Sequence, residues 1–406
     1  MTATLPNPTL TPEAELYWLA LRMIPGLGTR RTVQLLERFH TPQAILRASP
    51  QELEAGGLPP SLARSVASGC SFDDAASQQN LMRQAKAQIV PYGDPRYPGL
   101  LRDIYDPPPL LYAKGRIDLL DSIGIGLVGT RRPTPYGLAA AERLAADLAR
   151  AGLTIISGMA RGIDTACHKA ALSVEGATIA VLGCGVDLVY PSENRKLADD
   201  LAAKGLIISE FPLGTPAYPQ NFPVRNRIVS GLSVGVLIVE GAQYSGSAIT
   251  AKLAADQGRE VFAVPGNITN KMSWGPNLLI KQGAKLVQDW NDVVNDLPTD
   301  ARRRLIEQGR QRLLFQGDTR LPEPGAESSA TGTASVLSEP HQIVPRMVLT
   351  LLTVDTPIHL DTIIERLEQS DSSSGASPSE VIAALFELEI LGFAKQLPGR
   401  QFVKVW

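Results

Sequence analysis

The sequence predicts an α/β chain. A parallel sheet with helices on both faces forms its centre, a small helical unit precedes it, and a small winged-helix-like unit follows. Three observations predict this. Between residues 121 and 290, apolar runs of strand length recur at 123–128, 153–157, 177–182, 206–209, 234–239 and 260–264. They are rich in Ile, Val and Leu without strict alternation, as in strands buried on both faces. Helical segments near 136–150, 164–173, 193–203 and 246–257 fall between most of them, and strand–helix alternation of this kind builds parallel sheets.

The flanking elements follow in chain order. Within 11–90, Leu16, Leu19, Ala20 and Met23 keep helical spacing, and Pro25-Gly26-Leu27-Gly28 turns the chain into a second helix near 29–39. The stretch Ile24-Pro25-Gly26-Leu27-Gly28 resembles a helix-hairpin-helix turn, whose glycines let backbone N–H groups approach a DNA phosphate at a helix start. A tight interhelical turn, with its glycines required by φ alone, accounts for it equally well. Residues 91–120 read as a proline-rich extended bridge, because Asp106-Pro107-Pro108-Pro109 cannot be helical. Residues 299–340 read as a linker. Its start, Arg302-Arg303-Arg304 to Arg312, has helical character, and its end, from Leu321 to Thr333, lacks core-forming residues and is expected to be disordered. Helical patterns near 343–353, 360–368 and 379–391, then a hairpin from Phe393 to Trp406, describe a winged helix. The expected domains are 1–90, 91–298 and 341–406, with 299–340 joining the last two.

Composition bounds the function. A chain of 406 residues, 44% hydrophobic and 20% charged, has the make-up of a soluble globular protein of two or three domains. The formal net charge of −2 does not advertise nucleic-acid binding, so any DNA site must be a local cluster of arginine and lysine. Cys70, Cys167 and Cys184 are widely spaced, so neither a structural zinc site nor a disulfide framework is expected. The stretch from Met1 to Pro6 lacks a secretion pattern, and no apolar run approaches the roughly 20 residues of a membrane span. The expectation is a cytoplasmic protein with no membrane partner.

Every central strand runs into a loop of small residues. These loops are Gly129-Thr130-Arg131, Ser157-Gly158-Met159-Ala160-Arg161-Gly162, Gly183-Cys184-Gly185, Ser209-Glu210-Phe211-Pro212, Glu240-Gly241 and Pro265-Gly266. In a parallel sheet the carboxyl ends of the strands share one edge, where ligands bind, so the loops are expected to converge on one pocket. Helix starts there offer unpaired N–H donors to a phosphate. Arg131 and Arg161 bring charge from the first two loops. Arg225 and Arg227 flank Asn226, and Lys252 follows Ser245-Gly246-Ser247 on a helix. Guanidinium suits bidentate phosphate contacts. Tyr136, Tyr190, Phe211, Tyr218, Phe222 and Tyr244 lie among these cations in a chain only 5% aromatic. Arginine and aromatic rings in one groove are the chemistry of single-strand binding, where each stacked base adds about 1–3 kcal/mol. Burial of some rings in the core, and ion pairs of an arginine with Glu210 or Glu240, are the competing uses.

These segments resemble the DNA-processing protein A (DprA/Smf) family. The resemblance is carried by Val128-Gly129-Thr130-Arg131-Arg132-Pro133-Thr134-Pro135-Tyr136-Gly137, by Ser157 to Asp164, and by Ala180 to Asp187 with Tyr190-Pro191 and Asn194. It continues in Phe222-Pro223-Val224-Arg225-Asn226-Arg227-Ile228, Val239-Glu240, Ser245-Gly246-Ser247 and Val264-Pro265-Gly266. The motifs occur in family order over about 91–290. The resemblance implies an extended Rossmann-like central domain, with a SAM or helix-hairpin-helix-like unit before it and a winged helix after it. It implies sequence-independent binding of single-stranded DNA, a homodimer, and recruitment of the RecA recombinase to DNA coated by single-strand-binding protein during natural transformation; no cofactor is expected. It assigns DNA contact to Arg131 and to Phe222, Arg225, Asn226 and Arg227. Gly129, Thr130, Ser157, Gly158, Arg161, Gly183, Gly185, Ser245, Gly246 and Lys252 complete the expected DNA-binding set.

Two rivals are weaker. Gly124-Ile125-Gly126-Leu127-Val128-Gly129 matches the dinucleotide fingerprint, but it lies inside the apolar strand run and two prolines follow it, whereas the fingerprint must open a helix. A nucleoside-monophosphate hydrolase on the related lysine-decarboxylase-like fold needs a carboxylate beside a glycine-rich loop. Glu240 could serve, or could orient Arg225 or Arg227. His168 lies four residues after Asp164, the spacing of a local hydrogen bond. The last unit, 341–406, carries five cations against eight carboxylates, and its third helix bears Glu380, Glu387 and Glu389 with no cation. Phosphate would be repelled there, so a protein partner is expected instead of duplex DNA.

Overall fold

The computed structural model describes residues 10–243, 245–316, 347–349, 351–353, 358–369, 378–390, 394–397 and 401–404. The chain forms two compact units that part between Arg302 and Arg303.

Six helices open the first unit: α1 (Pro12–Met23), α2 (Thr29–Phe39), α3 (Pro42–Arg47), α4 (Pro50–Ala55), α5 (Pro60–Ala67) and α6 (Phe72–Ala85). Thr11 starts α1 by accepting from the Ala14 amide, and Pro12 sits in the first turn, where its missing N–H costs nothing. Gly26 takes φ +80°, which lets the chain reverse between α1 and α2. The sheet then comprises β1 (Gln88–Pro91), β2 (Leu110–Gly115), β3 (Gly124–Val128), β4 (Thr154–Ser157), β5 (Thr178–Val181), β6 (Leu206–Ser209), β7 (Ser233–Ile238), β8 (Glu260–Ala263) and β9 (Lys285–Leu286). Helices α7 (Gly99–Arg102), α8 (Pro135–Arg150), α9 (Ile163–Ser173), α10 (Arg195–Lys204), α11 (Asn221–Gly231), α12 (Gly246–Asp256), α13 (Trp274–Lys281) and α14 (Trp290–Asn295) lie between and after the strands.

The strand order is β1-β2-β6-β5-β4-β3-β7-β8-β9. Pairing is parallel from β6 through to β9, and antiparallel where β1 meets β2 and β2 meets β6. From β3 the chain winds through β4 and β5 to β6, then returns to the other side of β3 for β7 and β8. The order therefore reverses at β3, which fixes the site where ligands bind in such sheets. Alternate residues of one strand face different layers. Ala180 and Ile207 join a core with α1, α6 and α10, whereas Ile179, Val181, Leu206 and Ile208 join a core with α11.

Two segments depart from expectation. Residues 91–120 are not merely an extended bridge: β2 and the end of β1 form an antiparallel sheet edge there, with α7 between them. All four residues of Leu110-Leu111-Tyr112-Ala113 are buried, so the strand has no alternation to betray it, and three prolines precede it. Residues 221–231, read without a helix, form α11. Its Pro223 stands in the first turn, where a helix tolerates proline. The helical unit also shares one core with the sheet, because Leu19, Leu53 and Met82 belong to the same apolar cluster as Leu182 and Leu197. The Gln78 side chain donates to the Leu213 carbonyl and accepts from its amide, each at 3.0 Å.

The basic stretch at the head of the linker is helical, as α15 (Thr299–Gln316). The expected disorder of 321–333 lies outside the described residues. In the second unit, residues 347–349 are helical, β10 (Ile358–His359) leads into α16 (Leu360–Gln369), and α17 (Pro378–Ile390) precedes β11 (Ala394–Leu397) and β12 (Gln401–Lys404). The three strands form a sheet of order β10-β12-β11. Val348, Ile363, Leu385 and Phe402 lie in its separate core. Among the described residues, no helix is long and apolar enough to cross a membrane.

Candidate nucleic-acid interface

A cavity of about 610 Å³ opens at the carboxyl edge of the sheet, beside the reversal at β3. The loop after β3 forms one wall. Its path is set by Glu240, at the end of β7. Glu240 accepts from the Thr134 amide at 2.9 Å and from its hydroxyl at 2.6 Å, while its own carbonyl accepts from the Thr130 amide at 2.8 Å. Thr134 in turn caps α8 by accepting from the Gly137 amide. The loop carrying Arg131 and Arg132 is thus pinned to β7 at both ends, which holds two exposed cations at the cavity wall. Buried Glu240 serves this loop, contrary to the suggestion that it orients Arg225 or Arg227.

The floor comes from α11 and α9. Arg225 is buried, and a Cβ on Gly158 would overlap its guanidinium, so the glycine is what admits the arginine. Asp164 lies close by and accepts from the Gly158 and Ala160 amides at 3.2 and 3.3 Å. Burial raises its carboxyl above the ordinary range, against the pull of Arg225. Burial likewise lowers the Arg225 guanidinium, with Asp164 opposing and Arg131 adding to the effect. Arg225 Nε has no hydrogen-bond partner among the described residues. His168 does not bond Asp164. Its Nδ1 lies 2.7 Å from the Thr178 hydroxyl, and burial, with Arg225 contributing, pushes its pKa down to about 3.

The Phe222 ring lines the cavity with Tyr190, their centroids 5.5 Å apart, and the Arg131 guanidinium lies over Phe222 at 5.1 Å. The far wall is the start of α12, where Ser245, Gly246, Ser247 and Thr250 face in. Among the described residues, no side chain caps the first N–H groups of α12, and Ser245 and Ser247 bond each other at 2.7 Å. Asn226 ties α11 to this wall by donating to the Gly246 carbonyl. Arg131, Arg132 and Arg225 stand against one carboxylate, Asp164, in the lining. Helix N–H groups, hydroxyls, surplus positive charge and a half-buried aromatic ring suit a phosphate with a base beside it.

Of the expected set, Gly129, Thr130, Arg131, Phe222, Arg225, Asn226, Ser245 and Gly246 meet here. Ser157, Gly158, Gly183 and Gly185 do not line the cavity. The Ser157 hydroxyl donates to the Leu127 carbonyl, and Gly183 leaves room for the Phe222 ring. Three cations are elsewhere. Arg161 is exposed and paired with Glu193 at 2.7 Å. Arg227 is buried between Glu210 at 2.7 Å and Asp106 at 2.8 Å. Lys252 points into a different groove, shared with Glu260 and Leu278. Tyr136 bonds the Pro265 carbonyl. Phe211 and Tyr218 do not line the cavity, and Tyr244 lies outside the described residues. Arg132, Ser247 and Thr250 went unassigned in the sequence. The signal for the two hydroxyls was their position in the first turns of a helix that follows a strand.

Known proteins bear on this geometry directly. Residues 88–298 match the family model described as DNA recombination-mediator protein A, and residues 333–400 match that of the DprA winged helix domain. The chain is 34% identical over 398 residues to Protein Smf of Synechocystis sp., covering 95% of this chain and 98% of that protein. It is 45% identical over 217 residues to the DNA processing protein DprA of Bacillus subtilis, covering 53% of this chain and 73% of that protein. Among solved structures, DNA processing protein A of Streptococcus pneumoniae matches with a TM-score of 0.63 and 35% identity, over 71% of this chain and 99% of that one. With a sheet that reverses at β3, a phosphate-suited cavity at that reversal and these relatives, the chain belongs to the DNA-processing protein A (DprA/Smf) family.

Proposed function

We propose that the protein binds single-stranded DNA in the cavity at the β3 reversal and passes it to the RecA recombinase. The observation that carries the reading is the convergence of Arg131 and buried Arg225 with the Phe222 ring and the open start of α12. A phosphate meets the cations and N–H groups, and a base meets the ring. Duplex DNA keeps its bases stacked inside and cannot use that ring, so single strands are preferred. The family's description as a recombination mediator supports delivery to a recombinase. Protection of incoming DNA during transformation, action as a cytoplasmic homodimer and exchange with single-strand-binding protein belong to the same reading.

The protein acts by holding DNA, without catalysis. Its candidate acids and base have other work: Glu240 serves Thr134, Asp164 serves two amides beside Arg225, and His168 serves Thr178. These commitments weigh against the nucleotide-hydrolase reading. A gel-shift comparison tests the proposal. Mixed-sequence single strands should shift at lower protein concentration than duplex, the shift should weaken with salt, and RecA assembly on coated single strands should accelerate. Equal affinity for both DNA forms at moderate salt, or release of free base from nucleoside monophosphates that is lost on Glu240→Gln, would overturn it.

A further inference from the structure

A second cavity, of about 530 Å³, lies between α9 and α10. Lys169 reaches it from α9, and Lys196 and Lys204 from α10, while Leu172 and Leu197 give it an apolar floor. Two carboxylates also line it. Glu193 already holds Arg161 at 2.7 Å, and Asp200 stands one helical turn from each α10 lysine. Among the described residues, no ion pair holds any of the three lysines. The groove therefore offers three ammonium groups against two carboxylates, one of them already paired with Arg161.

The two cavities share a wall. Ala160 and Tyr190 line the first. The neighbouring Arg161 binds Glu193, which lines the second together with Asn194. Asn194 clamps the wall by donating to the Met159 carbonyl at 3.0 Å and to the Thr165 hydroxyl at 2.8 Å. A strand that leaves the first cavity past Tyr190 thus meets the lysine groove next.

We propose that this groove is a second DNA site, in which the lysines take the phosphates of the strand after it leaves the first cavity. The proposal rests on the single-strand reading of that first cavity. The spacing favours a chain of phosphates over one small anion, since Lys196 and Lys204 are eight residues apart on α10, about 12 Å along its axis. Flexible ammonium groups suit a backbone whose register varies. Among the described residues, no aromatic side chain lines the groove, so it adds charge and length without reading bases.

The test uses the full-length protein with Lys169, Lys196 and Lys204 all changed to Gln, beside the matching triple change to Arg. Both are assayed on oligothymidylates of about 4 and about 16 nucleotides, the range of single-strand site sizes. Gln should weaken the long oligonucleotide about 10-fold and leave the short one unchanged, and Arg should restore the long one. The logarithmic salt slope for the long strand should fall by about 2, the value for three lost phosphate contacts on single strands. An unchanged long strand, equal loss at both lengths, or a loss confined to duplex DNA would each overturn the proposal. Arg131→Ala in the same assay should weaken both lengths. If it weakens neither, the reading of the first cavity fails, whatever the lysines do.

Discussion

Arg131 and Arg227 put the same guanidinium in opposite surroundings. Arg131 is exposed at the cavity wall, resting on Phe222, with no ion pair among the described residues. Arg227 is buried between Glu210 and Asp106. Hydrogen bonds to charged groups contribute about 1.5–3 kcal/mol. Arg131→Ala should therefore weaken single-strand binding about 10- to 100-fold, with the unfolding midpoint in urea unchanged. Arg227→Ala strands the buried Glu210 carboxylate and should cost about 3–5 kcal/mol of stability, while the molecules that remain folded keep their affinity. Paired gel shifts and urea titrations separate the two, and an Arg227 variant of normal stability but lost affinity would reverse the assignment. The sequence could not make this distinction. Both arginines stand in family motifs, but Asp106, 121 residues before Arg227, becomes its partner only through the tertiary fold.

The elements of the sheet were largely legible, and their exceptions have physical causes. The six apolar runs correspond to β3 through β8 because strands covered on both faces need continuous apolar sequence. β2 and α11 escaped because prolines stand at their thresholds. Helix α9 has an inward face whose chemistry is legible only with the fold in hand: Asp164, Cys167 and His168 are all buried on it. The Thr178 hydroxyl donates to the Ile155 carbonyl at 2.7 Å, so it accepts from His168 Nδ1. Its folded pKa of about 3 lies below the 6.5 of a free histidine. The unfolded chain therefore takes up a proton first, and stability falls as pH drops through 6.5 towards 3. At pH 5 the loss from this group is about 2 kcal/mol. His168→Gln should begin less stable at pH 7 yet lose about 2 kcal/mol less than the parent on going to pH 5. Denaturant titrations at the two pH values measure this, and parallel losses in both proteins would contradict it.

At the scale of the whole molecule, a net charge of −2 conceals a local surplus of cations at one sheet edge. The loop motifs made that edge legible, whereas the sharing of one core by the helical unit and the sheet was not, since packing between distant segments leaves no local pattern. The second unit has its own apolar core, around Val348 and Phe402. Its sequence is acidic on balance. Removal of residues 341–406 should therefore leave single-strand affinity within about 3-fold of the full chain, since net charge acts on DNA mainly through long-range steering. A truncated protein with native circular dichroism that no longer shifts single-stranded DNA would assign the main contact to the winged helix.

The strand order also has a consequence for synthesis. β3 lies inside the sheet, yet its neighbour β7 is made only after residues 129–232 have been added to the chain. At 5–20 residues per second, those roughly 100 residues take about 5–20 s. Until β7 is made, the sheet growing from β3 towards β6 leaves one side of the β3 backbone as an unpaired edge, open to a strand from another chain. The reversal that creates the DNA cavity thus also sets the period in which the newborn protein is most exposed to aggregation.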